Sequence, residues 1–387
     1  MKKMYLTVCL VLMMIFPCAC NVQGNVTSEE KTQQTQDNRI WTKLQKTGEM
    51  TLQYATEFAV DYYEGGYALI KVADQTRYLL VPEQAVVPDG LDEDIVVLRQ
   101  PLDRIYAVST SVMDLFRASD SLDAVRFTGL ESKDWYIQEV QERMDAGDIL
   151  YAGKYRAPDY ELLLSENCNL AIENTMIYHE PSVKEQLEKL GIPVFVEYSS
   201  YESHPLGRME WIRLYGLLTG NQETADAYFL AQSEKLQGVE TAQTSGKTVA
   251  FFYVTANGAV NIRKTGDYVT EMIRLAGGTY VPEQVSAGDS NLSTMNMQME
   301  SFYDAAKDAD YLIYNSTIDN VLTSLEDLYA KSDLFRDFKA VREGNVWCTG
   351  KNMFQESTAT GDMIVELNRV ISGNGDDAEL VYLHRLQ

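Results

Sequence analysis

A single helical stretch that is apolar on nearly every side most constrains how this chain can fold. Residues 205–219 begin with Pro205, which suits a first helical turn, and stop at Gly220. Their apolar side chains are Leu206, Met209, Trp211, Ile212, Leu214, Tyr215, Leu217 and Leu218. A helix of this kind is buried on most sides, and its residues would extend about 22 Å. We therefore predict a buried helix over 205–219, followed by a second helix that Asn221 caps and that ends near Gly238.

Strands and helices alternate on both sides of this stretch, which is typical of lobes built on parallel sheets. Before it, the pattern predicts strands over residues 104–109, 124–128, 169–172 and 192–196, with helices over 110–117, 134–146, 159–165 and 181–190. After it, the pattern predicts strands over 248–254, 310–314 and 345–348, with helices over 267–276, 299–306, 334–341 and 361–371. The predicted fold class is α/β, with two lobes of mainly parallel sheet on either side of one buried helix.

An N-terminal β-hairpin extension precedes the first lobe. Residues 56–72 alternate apolar and polar side chains around Glu64-Gly65-Gly66, a hairpin signal, and residues 78–82 predict a third strand. The predicted domains are an N-terminal lobe over 46–202, an interlobe helix region over 203–238 and a C-terminal lobe over 239–387.

The first residues predict export and a lipid anchor. Lys2 and Lys3 precede an apolar run over 4–16, which is too short for a transmembrane helix but suits a signal peptide. A small residue, Ala19, then precedes Cys20, as in a bacterial lipobox, although Pro17 departs from that pattern. We predict a lipoprotein signal peptide over 1–19, a lipidated Cys20 and a flexible tether over 20–45; the alternative is an ordinary secretory signal. The expected location is the extracytoplasmic face of the cell membrane.

Charge and composition exclude several classes of protein. The chain has 33 basic and 57 acidic side chains and a net charge of −24, which excludes a nucleic-acid binder because such proteins need a basic surface. It has three histidines, His179, His204 and His384, which argues against a histidine-rich metal site. We expect no metal site, no intrinsic cofactor and no catalysis, and two separate buried thiols at Cys168 and Cys348.

Several segments, taken in order, resemble the substrate-binding proteins of ABC importers for iron-siderophores, heme and cobalamin. In the first lobe these are residues 101–111 (PLDRIYAVSTS), 158–161 (PDYE) and 168–172 (CNLAI). The entry to the apolar helix at 200–208 (SYESHPLGR) and its continuation at 211–212 and 216–220 are similar too. Residues 264–268 (KTGDY), 275–278 (LAGG) and 340–347 (AVREGNVW) extend the resemblance to the second lobe.

The resemblance implies two Rossmann-like lobes with mainly parallel sheets, joined by one long, rigid interlobe α-helix, with the ligand in the cleft between the lobes. It also implies an ABC permease and its cytoplasmic ATPase as partners, which such proteins usually contact through one glutamate on each lobe. The matching positions are Glu161 and Glu300, each at the start of a short helix. The alternative is that both are ordinary first-turn acids, which the helix dipole favours.

Ligands of open α/β sheets lie beyond the carboxyl ends of the strands, and that rule selects loops as candidate binding segments. Arginine pairs with anions and stacks on rings, and tyrosine and tryptophan supply stacking area. The candidate ligand-binding residues are Thr110, Trp135, Tyr155, Arg156, Glu173, Tyr201, Arg208, Tyr253, Arg263, Tyr268, Asn315 and Met353. For Trp135 and Tyr268 core packing is the alternative, and for Arg208 an ion pair on the helix face.

These observations together predict a membrane-tethered, monomeric receptor. It would bind a ferric siderophore or related iron chelate between its lobes and deliver it to a permease. A receptor for cobalamin or heme with the same fold is the alternative. Two further classes remain open at this point, an exported two-lobed enzyme and an adhesin; turnover would distinguish the first of these, and the absence of ligand-dependent stabilisation the second.

Overall fold

The computed structural model describes residues 44–73, 75–240, 245–283, 293–375 and 379–387. The predicted signal peptide over 1–19, the lipidated Cys20 and the tether as far as residue 43 lie outside the described residues. Within the described residues, no helix combines the length and the hydropathy that a membrane crossing requires.

The N-terminal extension is larger than the predicted hairpin. Its five strands are β1 (Lys46–Glu49), β2 (Phe58–Tyr63), β3 (Ala68–Val72), β4 (Arg77–Val81) and β5 (Ile95–Arg99). They form a sheet in the order β1-β2-β3-β4-β5, in which only the β4–β5 pair is parallel. One face, which includes Phe58, Val60 and Ile70, packs into the main core. The opposite face is covered by apolar residues between β4 and β5, so β3 and β4 are buried on both sides, whereas β1 is exposed.

The first lobe is built on a parallel sheet, as predicted. Its elements are β6 (Ile105–Ala107), α1 (Thr110–Ala118), β7 (Val125–Thr128), α2 (Gln138–Ala146), β8 (Leu150–Tyr151), β9 (Gly153–Lys154), β10 (Ala157–Pro158), α3 (Tyr160–Ser165), β11 (Leu170–Asn174), α4 (Pro181–Lys189) and β12 (Val194–Glu197). The sheet order is β12-β11-β6-β7-β8, and β9 and β10 form a separate antiparallel ribbon.

The predicted helix over 205–219 is two helices, and this corrects the sequence expectation. They are α5 (Pro205–Glu210) and α6 (Ile212–Thr219), which meet at Trp211, and α7 (Gln222–Glu240) follows. The two halves pack on different neighbours: α5 contacts helices of the second lobe, whereas α6 contacts α1 of the first. The break at Trp211 lets α5 and α6 each pack against a different lobe. The long helix that leads into the second lobe is α7.

Close backbone packing fixes α5 against the N-terminal extension. A Cβ atom at Gly207 would lie 3.0 Å from the carbonyl oxygen of Tyr54. Only glycine lets the two backbones approach this closely.

The second lobe contains a mixed sheet. Its elements are β13 (Thr248–Val254), β14 (Val260–Arg263), α8 (Tyr268–Leu275), β15 (Thr279–Tyr280), β16 (Thr294–Met297), α9 (Met299–Ala306), β17 (Tyr311–Tyr314), α10 (Leu325–Tyr329), α11 (Lys339–Glu343), β18 (Val346–Thr349), α12 (Thr360–Ile371) and β19 (Leu383–Arg385). The order is β16-β14-β13-β17-β18-β19, with β15 beside β13. The central strands are parallel, whereas β14, β16 and β19 pair antiparallel at the two sides.

One apolar core runs through both lobes. It joins residues of the N-terminal sheet, the first lobe, helices α5 to α7 and the second lobe, for example Phe58, Phe116, Trp211 and Ile273. The second lobe also has a core of its own around Phe252 and Phe302. The lobes therefore meet over a packed apolar contact at one side and open toward solvent at the other.

Candidate functional site

A cleft of about 530 Å³ lies between the two lobes. The first lobe contributes residues that follow β6, β11 and β12, so the carboxyl ends of these strands face the cleft, as the rule for open α/β sheets requires. The second lobe contributes the segment between β14 and α8. The lining residues are Ser109, Ser111, Asn174, Thr175, Met176, Glu197, Ser200, Tyr201, Glu202, Ser203, Lys264, Thr265, Gly266, Asp267, Tyr268 and Ser293.

Glu197 ends β12 and lies at the floor of the cleft with 1% of its surface exposed. It accepts a hydrogen bond of 3.1 Å from Oγ of Ser109 and one of 2.8 Å from the backbone N–H of Ser199. Ser109 precedes α1, and its hydroxyl contacts Glu197 rather than the helix backbone. The Ser109 hydroxyl therefore does not cap α1, because it donates to this carboxylate.

Glu202 connects the cleft to the N-terminal extension. Its carboxylate accepts hydrogen bonds from the backbone N–H groups of Thr56 and Glu57 and from the Thr56 hydroxyl. The indole Nε1 of Trp211 donates a further bond of 2.9 Å. Burial, and secondarily the charge of Glu202, raise the pKa of the neighbouring Glu57. A carboxylate that lines the cleft thus also holds the segment leading into β2.

Tyrosines form the rim of the first lobe. The rings of Tyr198 and Tyr201 lie 5.3 Å apart, and the hydroxyl of Tyr198 is 3.4 Å from that of Tyr178. Tyr201 also contacts the Thr175 hydroxyl at 3.3 Å and is nearly half exposed. Met176 is exposed beside them. This side of the cleft offers aromatic and thioether surface for stacking against a ring or an apolar ligand face.

The second-lobe side is centred on Tyr268, the first residue of α8. The guanidinium carbon of Arg208 lies 3.9 Å from the centre of its ring, and that of Arg263 lies 5.8 Å from it. Arg263 also forms an ion pair of 3.5 Å with Asp267, which caps α8. Burial raises the pKa of Asp267, and the two arginines oppose that shift. Behind Tyr268, a small cavity of about 20 Å³ is lined in part by Met353 and Phe354.

The structure brings together about half of the predicted ligand-binding residues. Tyr201 and Tyr268 line the cleft, and Arg208, Arg263 and Met353 surround Tyr268. Thr110 lies between the lining residues Ser109 and Ser111 and is half-buried.

Trp135, Tyr253 and Asn315 do not line the cleft, and their side chains contact other parts of the protein instead. Trp135 is 2% exposed and packs in the main core, which is the alternative to ligand contact that the sequence left open for it. Tyr253 packs against the core of the second lobe. The side-chain oxygen of Asn315 accepts bonds from the backbone and hydroxyl of Thr317, two residues along.

Tyr155 and Arg156 lie at the tip of the β9–β10 ribbon and contact each other. The arginine donates a hydrogen bond of 3.0 Å to the Tyr155 hydroxyl and lies 5.1 Å from its ring. Neither residue lines the cleft.

Glu173 lies on the face of β11 opposite to the one expected. Its side chain is fully buried, and neither carboxylate oxygen has a hydrogen-bond partner among the described residues. Burial raises its pKa to about 8. Successive strand residues point to opposite faces, and Glu173 follows Ala171 into the layer beneath α3 and α4, whereas Ile172 packs toward the helices between the lobes.

The remaining predicted residues lie outside the cleft. Glu161 and Glu300 are exposed in the first turns of α3 and α9. Cys168 and Cys348 are separate free thiols, as expected, but only Cys348 is buried and Cys168 is half-buried. Nδ1 of His204 accepts the Leu206 N–H at the start of α5. In the described ranges, no cluster of three or more His, Cys, Asp or Glu side chains could hold a metal ion.

A segment of the second lobe is bound directly to the first lobe, and the sequence did not indicate it. Both the backbone N–H and the hydroxyl of Thr358 donate to Oδ2 of the buried Asp114 on α1, at 2.7 and 2.6 Å. The amide of Gln355 accepts from the N–H of Tyr136 and donates to the carbonyl of Asp134. These polar contacts supplement the apolar contact between the lobes and limit how far they can separate.

The ligand-binding candidates chosen from the sequence did not include Glu197, Lys264 or Asp267. A usable signal existed for each. Glu197 directly follows the predicted strand over 192–196, and Lys264 and Asp267 flank the start of a predicted helix.

Two curated relatives are uncharacterized lipoproteins of Methanocaldococcus jannaschii, each 23% identical to this chain. The alignment covers all of this chain and all of one relative, and 90% of this chain and 89% of the other.

Solved structures show the same fold at low sequence identity. A periplasmic heme binding protein from Pseudomonas aeruginosa has a TM-score of 0.56 at 14% identity, and covers 74% of this chain and 98% of its own. A periplasmic vitamin B12 binding protein of Vibrio cholerae has a TM-score of 0.51 at 15% identity, and covers 71% and 98%. An ABC-type Fe3+-hydroxamate transport system protein from Saccharomonospora viridis has a TM-score of 0.53 at 18% identity, and covers 70% and 93%.

The family model for periplasmic binding proteins matches residues 108–353, which include both walls of the cleft and the three helices between the lobes. The two-lobed architecture with its interlobe cleft agrees with that match, and the chain belongs to the periplasmic binding protein family.

Proposed function

We propose that this chain is the extracytoplasmic substrate-binding component of an ABC importer and binds a ferric siderophore or related iron chelate. The observation that carries the proposal is the cleft of about 530 Å³, which residues of both lobes line. A cleft of that volume, with a few polar groups and aromatic walls, is typical of small-molecule sites. The protein binds and releases its ligand without catalysing a reaction.

The ligand class is supported by the family and by the structural neighbours. Among those neighbours are proteins described as binding heme or vitamin B12 and as transporting Fe3+-hydroxamate. A heme or cobalamin receptor of the same fold is therefore the alternative. The tyrosine rim and the Arg208–Tyr268 stack suit a ring-bearing chelate, because aromatic faces and guanidinium groups stack on planar ligands.

We propose Tyr201 and Tyr268 as direct ligand contacts. Arg208, Arg263 and Met353 support the ring of Tyr268 from behind. Thr110 lies at the cleft end of α1, where the ligand would approach. The other sequence candidates are assigned no ligand contact here, because their side chains lie in the core or at the β9–β10 tip.

The partners and location follow from the same proposal. A permease and its cytoplasmic ATPase would receive the ligand, with Glu161 and Glu300 as the contacts, since both carboxylates are exposed and can pair with arginines. A lipidated Cys20 would hold the receptor, as a monomer, at the outer face of the membrane; the lipoprotein relatives support this location.

A thermal-shift panel on the full-length chain tests the function. The panel contains ferric hydroxamates, ferric catecholates, hemin, corrinoids and free iron, manganese and zinc. A ligand at 100 times its Kd stabilises the folded state by about 2.7 kcal/mol, so a specific chelate should raise the Tm clearly. Stabilisation by free metal alone would contradict the chelate proposal, and stabilisation by no member of the panel would contradict the receptor assignment.

A further inference from the structure

Glu173 on β11 is a buried carboxyl group that packing alone does not explain. Its side chain has no exposed surface, and neither of its oxygens has a hydrogen-bond partner among the described residues. Buried polar groups are nearly always hydrogen-bonded, because a group without a partner loses its hydration and gains nothing in exchange. A central strand of the first lobe thus carries a polar group at a cost to stability.

Glu173 faces the layer between the first-lobe sheet and helices α3 and α4. The titratable groups packed in that layer are Tyr106 on β6, Tyr160 on α3, Cys168 before β11 and Tyr198 after β12. Helix α4 contributes the apolar Val183 and Leu187, while its lysines pair with glutamates on its outer side. Burial raises the pKa of Glu173 to about 8, and no basic side chain of the described residues opposes that shift.

The neighbours of Glu173 keep their protons near neutral pH. Burial raises the pKa of Cys168 to about 12 and that of Tyr106 further still. It also raises the pKa of Tyr160, with the charge of Glu173 as a second cause. Of these four groups, Glu173 is therefore the one that changes its charge between pH 5 and pH 9.

The strand that carries Glu173 also forms part of the cleft wall. The next residue, Asn174, lines the cleft, and its side-chain oxygen accepts the N–H of Met176 at 2.9 Å. This bond fixes the turn over the lining residues 174–176. Asn174 is also in register with Glu197 at the cleft floor. A movement at the end of β11 would therefore change the shape of the cleft.

We infer that Glu173 is a proton-linked switch, and that the conformation which binds the chelate requires this carboxyl group to be neutral. An ionised Glu173 needs hydrogen-bond donors, and the described residues around it supply none unless α3, α4 or the end of β11 moves. Such a movement displaces Asn174 and the turn that follows it. Binding should therefore take up a proton, and a rise in pH should favour release. The inference rests on the proposed receptor function and adds a regulation of the same site.

The sign of the effect follows from the pKa of Glu173 in the two conformations. In the binding conformation burial raises it from 4.5 to about 8, whereas a hydrated carboxyl group stays near 4.5. The advantage of the binding conformation is complete below pH 4.5 and is lost as the pH rises to about 8. The affinity should fall over the upper part of that window and become independent of pH above it.

Titration of the detergent-solubilised full-length chain at pH 5, 6, 7, 8 and 9 measures this dependence. The probes are an uncharged ferric tris-hydroxamate, a ferric tris-catecholate, hemin and cyanocobalamin, and each probe that binds is followed over the whole range. Each Kd is divided by the Kd of Glu173→Gln at the same pH, which cancels any titration of the probe. We expect this ratio to rise at least about fivefold from pH 5 to pH 8.

Proton uptake gives a second readout that a purely structural role would not change. At a pH where the ratio is rising, calorimetry in two buffers of different ionisation enthalpy counts the protons taken up on binding. The unmodified protein should take up more protons than Glu173→Gln does. Glu173→Asp retains a buried carboxyl group and should retain the pH dependence. Glu185→Gln removes an exposed carboxylate of α4 and should behave as the unmodified protein does.

The possible outcomes separate the inference from the function. A ratio that stays constant from pH 5 to pH 9 would overturn the proton switch and leave the receptor function standing. Equal proton uptake by the unmodified protein and Glu173→Gln would overturn the switch as well. Binding of none of the four probes would overturn the receptor function and the switch together.

Discussion

The indole of Trp211 donates a hydrogen bond of 2.9 Å to Glu202, a carboxylate that both lines the cleft and binds the N-terminal extension. Trp211 is fully buried at the junction of α5 and α6, and Glu202 is 2% exposed. The pair therefore joins three parts of the molecule: the helices between the lobes, the cleft and the segment that precedes β2.

Replacing Glu202 by Gln should destabilise the fold by about 3 kcal/mol, because hydrogen bonds to a charged acceptor contribute about 1.5–3 kcal/mol each and an amide offers one acceptor oxygen. Urea unfolding of the full-length chain measures the change. Glu57→Gln is the matched control. Its effect should be neutral or slightly stabilising, since burial and Glu202 both disfavour the charged form of Glu57. Equal losses in the two variants would contradict this account of Glu202.

Glu173→Gln should change how stability depends on pH. Burial raises the pKa of Glu173 from 4.5 to about 8, so the folded state binds a proton that the unfolded state has released. The folded protein therefore loses stability as the pH rises from 4.5 to about 8, at up to about 1.4 kcal/mol per pH unit for this group. The variant lacks this loss, so its stability relative to the unmodified protein should rise across that window and level off above it. Chemical unfolding at pH 4.5, 6, 7 and 8 measures the difference, and a difference independent of pH would show that Glu173 is not the group responsible.

Thr358→Val should loosen the contact between the lobes by about 1–2 kcal/mol, because one oxygen of the buried Asp114 loses its hydroxyl donor. The side chains have nearly the same shape, so little packing is lost. Hydrogen exchange should become faster in the segment around residues 355–360 and at the start of α1. Ser357→Ala, which removes a bond to the Ser111 carbonyl, is the comparison and should have a smaller effect, since its acceptor is uncharged.

Two tyrosines that the sequence ranks alike should differ in binding. Tyr201→Ala removes a ring from the cleft rim and should weaken binding of the chelate identified by the thermal-shift panel by about 5- to 30-fold. Tyr155→Ala removes a ring from the β9–β10 tip and should leave the Kd unchanged. Titration of both variants with that chelate measures the two Kd values. Equal losses of affinity would mean that the ligand extends beyond the cleft.

Much of the architecture followed from the sequence. The strand Thr248–Val254 and the helix Met299–Ala306 have the bounds that periodicity predicts. Regular apolar spacing over a whole element is a local property, and so the two α/β lobes could be predicted from the sequence. Strands β14, β16 and β19 were missed because they are short. β16 also has no buried residue, so its pairing with β14 rather than an apolar period stabilises it.

The sequence by itself determined that the loops after β6, β11 and β12 border the cleft, and the tertiary structure decided which of the other candidate loops do so and which side chains point into it. Glu173 and Glu197 illustrate the difference. Both lie at the carboxyl ends of adjacent parallel strands, but Glu197 is in register with Asn174, and Glu173 with Val196. Because neighbouring strand residues face opposite sides of a sheet, that offset of one position places Glu197 at the cleft floor and buries Glu173 beneath the outer helices. Strand register is set by pairing between distant segments, and no local pattern in this chain contains it.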